Sequence, residues 1–303
     1  MNVALLSCRD LPGWEKDDRF FQNALSEQGV KWTSIPWDES CNWSKFDAVL
    51  IRTTWDYVDR RTEFVLALEA ISKQTILLNS IDVVRWNIEK TYLKDLEDKG
   101  ISIAPTVWIS SKEVSLIEIM ERRGWSKGFL KPVVGACASN TKRFAVSEVT
   151  DAQYWLDELL EVGTQMMLQP YIETVETEGE YSAVFFGDKL SHCVQKIPVT
   201  GDYRVQDDFG ASDYLVEAKD VSEMLLVAHQ TLEVLQNRFT DVLVTRMDFL
   251  HMQTGDWVIN EVEMIEPSLF FRHSQQKAPA LLLQELRSRI GYGSVGSQEG
   301  NPS

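Results

Sequence analysis

Residues 245–263, TRMDFLHMQTGDWVINEVE, decide how this chain is read. Two apolar-rich runs flank a Thr254-Gly255 turn, which predicts an antiparallel hairpin. With the turn centred between those two residues, Asp248 lies opposite Glu261 and Arg246 opposite Glu263. Side chains alternate along a strand, so all four share one face, with opposed Cβ atoms about 5 Å apart. The same register pairs Val244 with Ile265 and Leu250 with Ile259 on that face, and it sends Leu243, Met247, Phe249, Val262 and Met264 to the other. Acids so enclosed must be compensated, and one arginine cannot neutralise three of them. The expected solution is a bound cation. Oxygen-only donors favour Mg2+, which commonly joins carboxylates to nucleotide phosphates. Neutralising Glu261 is then expected to relieve repulsion among like charges. A solvated acidic face is the plain alternative.

Working outward, the 303 residues suffice for two or three packed units. With 46 acidic and 30 basic residues the net charge is -16, which argues against nucleic acid and anionic membrane surfaces as partners. An anionic substrate needs a local basic pocket. Cys8, Cys41, Cys137 and Cys193 have no paired spacing, so neither a disulfide framework nor a zinc site is expected, and a reducing cytoplasm fits. No signal peptide or bilayer-spanning stretch is evident. A homodimer is expected from base rates alone.

The first 86 residues alternate strand and helix: Val3 to Ser7, a helix from Asp17 to Gln28 ending at Gly29, then Ala48 to Arg52 and Ile76 to Asn79. Alternation of this kind predicts a parallel α/β sheet, with ligands gathering beyond the strand ends at Ser7 to Arg9, Thr53 to Tyr57 and Asn79. Asn87 is read as capping a helix that runs to Lys99, with Lys90 in its first turn. Residues 106–168 read as a small α+β unit, with helices near Val114 to Arg122 and Asp151 to Glu161 and strands near Gly128 to Val133 and Arg143 to Val146. Between those strands, Gly135 to Asn140 is a loop of small residues whose amides could approach phosphate, with Lys131 just before it. Neither a Walker A pattern nor GxGxxG occurs. Next come Gln169 to Ile172 as a connector, a hairpin of Tyr181 to Phe186 and Lys189 to Ile197, a helix from Val221 to Phe239, and a last helix from Ala278 to Ile290. Counting outward from Gly187-Asp188 puts Glu180 and Lys196 on opposite faces unless a bulge intervenes.

This order of parts resembles the ATP-grasp superfamily over nearly the whole chain. The resemblance implies an N-terminal parallel-sheet domain over 1–88, a linker helix and central lid over 89–168, and a C-terminal subdomain over 169–296. The two α+β subdomains would sandwich ATP, and 297–303 would be a disordered tail. By the same resemblance Lys90 and Lys131 match the phosphate-binding lysines, Gly135, Ala136 and Ser139 lie in the phosphate loop, and Gln169, Pro170, Tyr171 and Ile172 match the adenine hinge. Glu180 is similar to the ribose-binding carboxylate, and Lys196 would join Lys90 and Lys131 in offsetting phosphate charge. Asp248, Glu261 and Glu263 match ligands of Mg2+, for which Mn2+ could substitute, and Arg246 matches the arginine that steadies the tetrahedral intermediate. ADP-forming ligation through an acyl phosphate is implied, with Arg204 helping Arg246.

Within the superfamily, Lys196-Ile197-Pro198 and Gly201-Asp202-Tyr203-Arg204 are similar to bacterial glutathione synthetase. Arg52-Thr53-Thr54-Trp55-Asp56-Tyr57, Arg85-Trp86-Asn87 and Glu266-Pro267-Ser268-Leu269-Phe270-Phe271 resemble the ureidoserine cyclo-ligases of the cycloserine pathway. The chain departs from the broader family at Glu263, in place of asparagine, at Ser268, in place of glycine, and in a glycine-poor loop. Glu263 is expected to strengthen metal binding. Arg52, Trp55, Tyr57, Arg272 and His273 are candidates for holding a small amino-acid-like substrate, since arginine suits carboxylate recognition. Two other readings compete: Asp248 and Glu261 as a glycosidase-like acid and base, and an ATP-binding regulator without turnover. The first leaves Lys131, Arg246 and the small-residue loop without roles.

Overall fold

The computed structural model describes residues 1–11, 13, 16–135, 140–206 and 209–291. Ala136 and Ser139 of the small-residue loop, and the tail expected over 297–303, lie outside these described residues.

The N-terminal sheet contains β1 (Asn2–Ser7), β2 (Lys31–Pro36), β3 (Ala48–Thr53) and β4 (Ile76–Leu78) in the order β2-β1-β3-β4, with every pair parallel. Its helices are α1 (Arg19–Glu27), α2 (Arg61–Ser72) and α3 (Ile81–Asn87). Gly29, at φ +67, turns the chain out of α1 as the sequence predicts. The strand β2 was not legible, because only one of its residues, Ile35, is fully buried and its pattern is otherwise polar.

The helix expected from Asn87 to Lys99 is shorter than read: α3 ends at Asn87, and within the expected stretch only α4, Tyr92–Glu97, is helical. Asn87 caps no helix start. Its Nδ2 donates to the Val262 carbonyl at 2.8 Å and its Oδ1 accepts the Met264 N–H at 2.8 Å, so it binds the helix to the strand across from it.

The middle unit is a sheet of β5 (Val107–Ile109), β6 (Lys127–Pro132), β7 (Lys142–Ala145) and β8 (Met166–Pro170) in the order β5-β8-β6-β7, packed by α5 (Leu116–Arg123) and α6 (Val149–Glu161). After α7 (Thr174–Thr177) come β9 (Glu180–Phe186), β10 (Lys189–Ile197), β11 (Ser212–Val216), α8 (Ser222–Arg238), β12 (Val244–His251), β13 (Trp257–Glu263) and α9 (Lys277–Arg289). The last five strands form one sheet in the order β11-β10-β9-β12-β13.

The central strands of that sheet are buried on both faces. One face packs on α3, α4 and α8 through Met247, Phe249, Val262 and Met264, together with Leu93, Leu96, Met224 and Leu232. The other packs on α1 and α9 through Phe186, Val194 and Leu243, with Phe21 stacked on Phe271 at 6.2 Å. Asn79 joins the N-terminal sheet to it: its side chain donates to the carbonyls of Val244 and Met264 and accepts the N–H groups of Leu243 and Val244. All four of its hydrogen-bonding positions are thus occupied, and it binds strands rather than a ligand. Among the described residues no helix is long and apolar enough to cross a membrane.

Candidate active site

The hairpin β12/β13 has the register expected at its inner end, with Asp248 opposite Glu261 and Arg246 opposite Glu263. Beyond Asp248 the register shifts by one residue, so Phe249 faces Ile259 and Leu250 faces Val258, in place of the expected Leu250–Ile259 pair. The bulge falls at Asn260. An uninterrupted strand would turn this side chain away from Glu261, but the extra residue brings it to the same side. There it donates to Glu180 Oε2 at 2.6 Å and accepts from Lys131 Nζ at 2.9 Å. Sequence reasoning missed Asn260 because the count assumed no bulge.

A second irregularity, between Leu190 and His192, reverses the parity of β10 and sets Lys196 directly opposite Glu180. The two form a buried ion pair, and Lys196 Nζ also lies 3.2 Å from Asp248 Oδ1. Opposite faces, expected for an unbulged hairpin, therefore do not occur. Ser182, two residues from Glu180 and on its face, donates to Asp248 Oδ1 at 2.5 Å.

The carboxylates are compensated by more cations than the hairpin alone supplies. Arg246 donates from Nε and Nη2 to Asp248, at 3.0 and 2.9 Å, and pairs with Glu263. Glu261 stands 3.7 Å from Lys90 Nζ and 3.5 Å from Lys131 Nζ. Lys90 is held by the linker after α3, its N–H bonded to the Val133 carbonyl and its Nζ to the Gly135 carbonyl, each at 2.8 Å. The expectation that neutralising Glu261 relieves repulsion does not hold here, because two lysines face it. They reach it from the linker and from β6, more than a hundred residues away in sequence.

These pairs set the charge states. Burial raises the Asp248 and Glu261 carboxyls, but Arg246 and Lys196 outweigh it for Asp248, and Lys90 and Lys131 for Glu261, so both lie below the usual range. Glu263 is pushed up to about 7 by burial, with Arg246 opposing and Asp248 and Glu261 adding to the rise. Burial lowers Lys131, and Glu261 resists it. Burial also disfavours the charged form of Lys196, but Asp248 and Glu180 more than offset it.

These groups line one cavity of about 350 Å3. At one end Gln169, Pro170, Tyr171 and Ile172 meet Leu250, Val175 and Phe129 in an apolar pocket, where Gln169 Nε2 is fixed to Thr106 Oγ1 at 2.9 Å. At the other end the N-terminal unit contributes Arg52, Trp55 and Tyr57, with Arg272 nearby beside Asp17, while Arg204 lines the cavity next to Tyr203, which packs on Phe129 and Tyr171. Arg52 is 3 % exposed and forked onto Asp18 at 3.0 and 2.7 Å. No local sequence signal ties those two together across 34 positions. Arg204 is forked onto Asp202, and Arg272 onto Asp213. His273 is not among the cavity-lining residues and pairs with Asp213, so the structure places it outside the candidate substrate set.

Lysines and an arginine at the middle of the cavity suit an anionic polyphosphate, and the apolar end suits a flat heterocycle. Among the described residues no group of three or more His, Cys, Asp or Glu side chains is arranged to hold a metal ion, since Arg246 separates Asp248 from Glu263 and lysines engage Glu261. The donor chemistry remains compatible with a hard cation. All three acids offer oxygen alone, they share one face, and arriving phosphates would compete for the lysines and arginine that now hold them.

Solved structures of this architecture include a RimK domain ATP-grasp protein from Sphaerobacter thermophilus, with TM-score 0.65 and 14% identity over 98% of this chain and 100% of that one. They also include D-alanine–D-alanine ligase from Bacillus anthracis, with TM-score 0.67 and 15% identity over 97% of this chain and 100% of that one. The chain has the ATP-grasp fold.

Its particular resemblance is to D-cycloserine synthetase. The crystal structure of that enzyme, DcsG, superposes with TM-score 0.83 at 24% identity, covering 96% of this chain and 100% of the other. The cycloserine biosynthesis protein DcsG of Streptomyces lavendulae is 28% identical over 256 residues, 80% of this chain and 83% of that protein. A family model described as the N-terminal domain of D-cycloserine synthetase DcsG matches residues 3–79.

Proposed function

We propose that this protein is an ATP-dependent, ADP-forming carboxylate–amine ligase that works through an acyl phosphate on a small amino-acid-like substrate and closes a ring within it. The observation that carries the reading is the convergence of Lys90, Lys131, Lys196 and Arg246 on the acids of one cavity, between an apolar end and the arginine-bearing N-terminal unit. The similarity to a cycloserine synthetase supports the cyclising form.

In this reading Gln169 to Ile172 hold adenine, Glu180 takes the ribose hydroxyls, and Lys90 and Lys131 draw the phosphates inward. Asp248, Glu261 and Glu263 would hold Mg2+, which when bound supplies Lewis-acid neutralisation of the phosphate oxygens. A carboxylate is a poor electrophile, so it accepts the γ-phosphoryl group before nitrogen attacks. Arg246, fixed by Asp248 and by the Ser268 carbonyl at 3.1 Å, faces the charge that develops on the acyl oxygen and on the leaving phosphate. Arg204 sits at the cavity wall, where it can approach the same charge. Trp55 and Tyr57 shape the substrate end, which Arg52 and Arg272 border while paired with Asp18 and with Asp17 and Asp213, respectively. Exclusion of water by the middle sheet protects the acyl phosphate from hydrolysis.

The test is ADP and phosphate release by the purified protein with ATP and MgCl2, screened over amino acids and O-substituted serines including O-ureidoserine. Substrate-stimulated, stoichiometric release together with a dehydrated product supports the ligase. Tight ATP binding with no stimulation by any of these compounds rejects it in favour of a nucleotide-binding regulator.

A further inference from the structure

Among the described residues, one carboxylate lining the cavity is answered by no protein group. Seven acids among the described residues line the cavity, and six are matched: Asp17 by the N–H groups of Phe271 and Arg272, Asp18 by Arg52, Glu180 by Lys196, Asp248 by Arg246 and Lys196, Glu261 by two lysines, and Glu263 by Arg246. Glu266 has neither a hydrogen bond nor an ion pair among the described residues, and it is half-buried against the same space. A carboxylate drawn out of water without a partner is costly, so its retention calls for a ligand that donates to it.

Its position is fixed from both sides. Asn79 Nδ2 binds the Met264 carbonyl at 2.7 Å, Arg52 Nη2 binds the Pro267 carbonyl at 3.3 Å, and Arg246 Nη1 binds the Ser268 carbonyl at 3.1 Å. The backbone on either side of Glu266 is thus tied to the N-terminal sheet and to the arginine assigned to the acyl centre. The acid stands between the cationic middle of the cavity and its substrate end. An anionic group of the substrate would be repelled there, whereas an N–H donor would be held. Burial and the neighbouring Glu263 raise its carboxyl well above the ordinary range, with Arg246 and Arg52 opposing, so an N–H donor brought by the substrate is what would favour its charged, proton-accepting form.

We infer that Glu266 receives the attacking nitrogen of the substrate, accepting its N–H as a hydrogen bond and taking its proton as the C–N bond forms. The inference rests on the ligase reading above. The nitrogen lone pair attacks the acyl carbon, the bond from that carbon to the phosphate oxygen breaks, and its electron pair leaves on inorganic phosphate. The proton passes from nitrogen to Glu266 and then to solvent. The substrate class follows: a molecule whose nucleophile is a nitrogen that must lose a proton on attack, carried on the same skeleton as the activated carboxylate.

Hydroxylamine separates the two half-reactions, because it traps an acyl phosphate as a hydroxamate without help from a base. With ATP, MgCl2 and O-ureidoserine, Glu266→Gln should form hydroxamate within about threefold of the wild type, while the cyclised product falls about 100-fold or more. Glu266→Asp should recover part of the product rate, and neither variant should melt below the wild type. Wild-type product formation by Glu266→Gln overturns the assignment, and so does a proportionate loss of hydroxamate and product in both variants. Absence of hydroxamate and ADP in the wild type with every compound screened would instead reject the ligase reading itself, and this assignment with it.

Discussion

Glu261→Gln separates the electrostatic roles of the site. Glu261 lies 3.5 Å from Lys131 Nζ and 3.7 Å from Lys90 Nζ, with a quarter of its side chain exposed. At an effective dielectric of about 20, each contact is worth roughly 4–5 kcal/mol before desolvation. Burial of the acid and repulsion from Asp248 offset most of that gain, leaving on the order of 1–2 kcal/mol of net stabilisation. The variant should therefore melt a few degrees lower, because two lysines lose a partner. Those freed lysines should bind ATP at least as tightly without Mg2+, while Mg-dependent ADP release falls by about 100-fold or more. Calorimetric titration of ATP with and without MgCl2, beside a coupled ADP assay, reads each effect. Undiminished Mg-dependent turnover would refute the metal assignment. A higher melting temperature would refute the charge accounting.

Three further outcomes follow from individual contacts. Arg246→Met leaves Asp248 and Glu263 without their shared partner and should cost about 3–5 kcal/mol in urea unfolding, with ligase turnover lost; a change under 1 kcal/mol would contradict the buried pairing. Gly179 has φ +76, and a Cβ there would lie 2.0 Å from the Lys196 carbonyl oxygen, so Gly179→Ala should lose about 2–3 kcal/mol and weaken ATP binding by displacing Lys196 and Glu180. An unaltered ATP affinity would show that this strand crossing does not set the site. Burial lowers the His192 pKa to about 4. The unfolded chain, near 6.5, binds the proton first, so stability present above about pH 6.5 is lost as pH falls toward 4. This loss should reach about 2 kcal/mol at pH 5. In His192→Leu, urea midpoints measured at pH 7 and pH 5 should differ less than in the wild type, and an equal difference would rule out His192 as a source of acid sensitivity.

Much of the fold was readable because periodicity is a local property. The parallel strands Asn2–Ser7 and Ala48–Thr53, the hairpin Glu180–Phe186 with Lys189–Ile197, and the helices Ser222–Arg238 and Lys277–Arg289 all fall within a residue or two of the boundaries predicted from apolar spacing. The edge strand Ser212–Val216 escaped notice, since its residues are mostly exposed and carry no alternating apolar signal. The pairing of Asp248 with Glu261 and of Arg246 with Glu263 was also legible, although the pairs next to the turn run one residue off the expected register and only the bulge at Asn260 restores it.

What sequence by itself determined is the alternation of strands and helices and the presence of acids and a guanidinium on one strand face. Tertiary structure alone decided what those acids meet. Bulges at Asn260 and near Ser191 turned Asn260 and Lys196 toward the cavity, and a side-chain period of two makes any such single-residue insertion reverse a face. Lys90 and Lys131 reached Glu261, Asp18 captured Arg52, and Glu266 was left without a partner among the described residues, because Coulomb contacts depend on distance in space while a strand records only order along the chain.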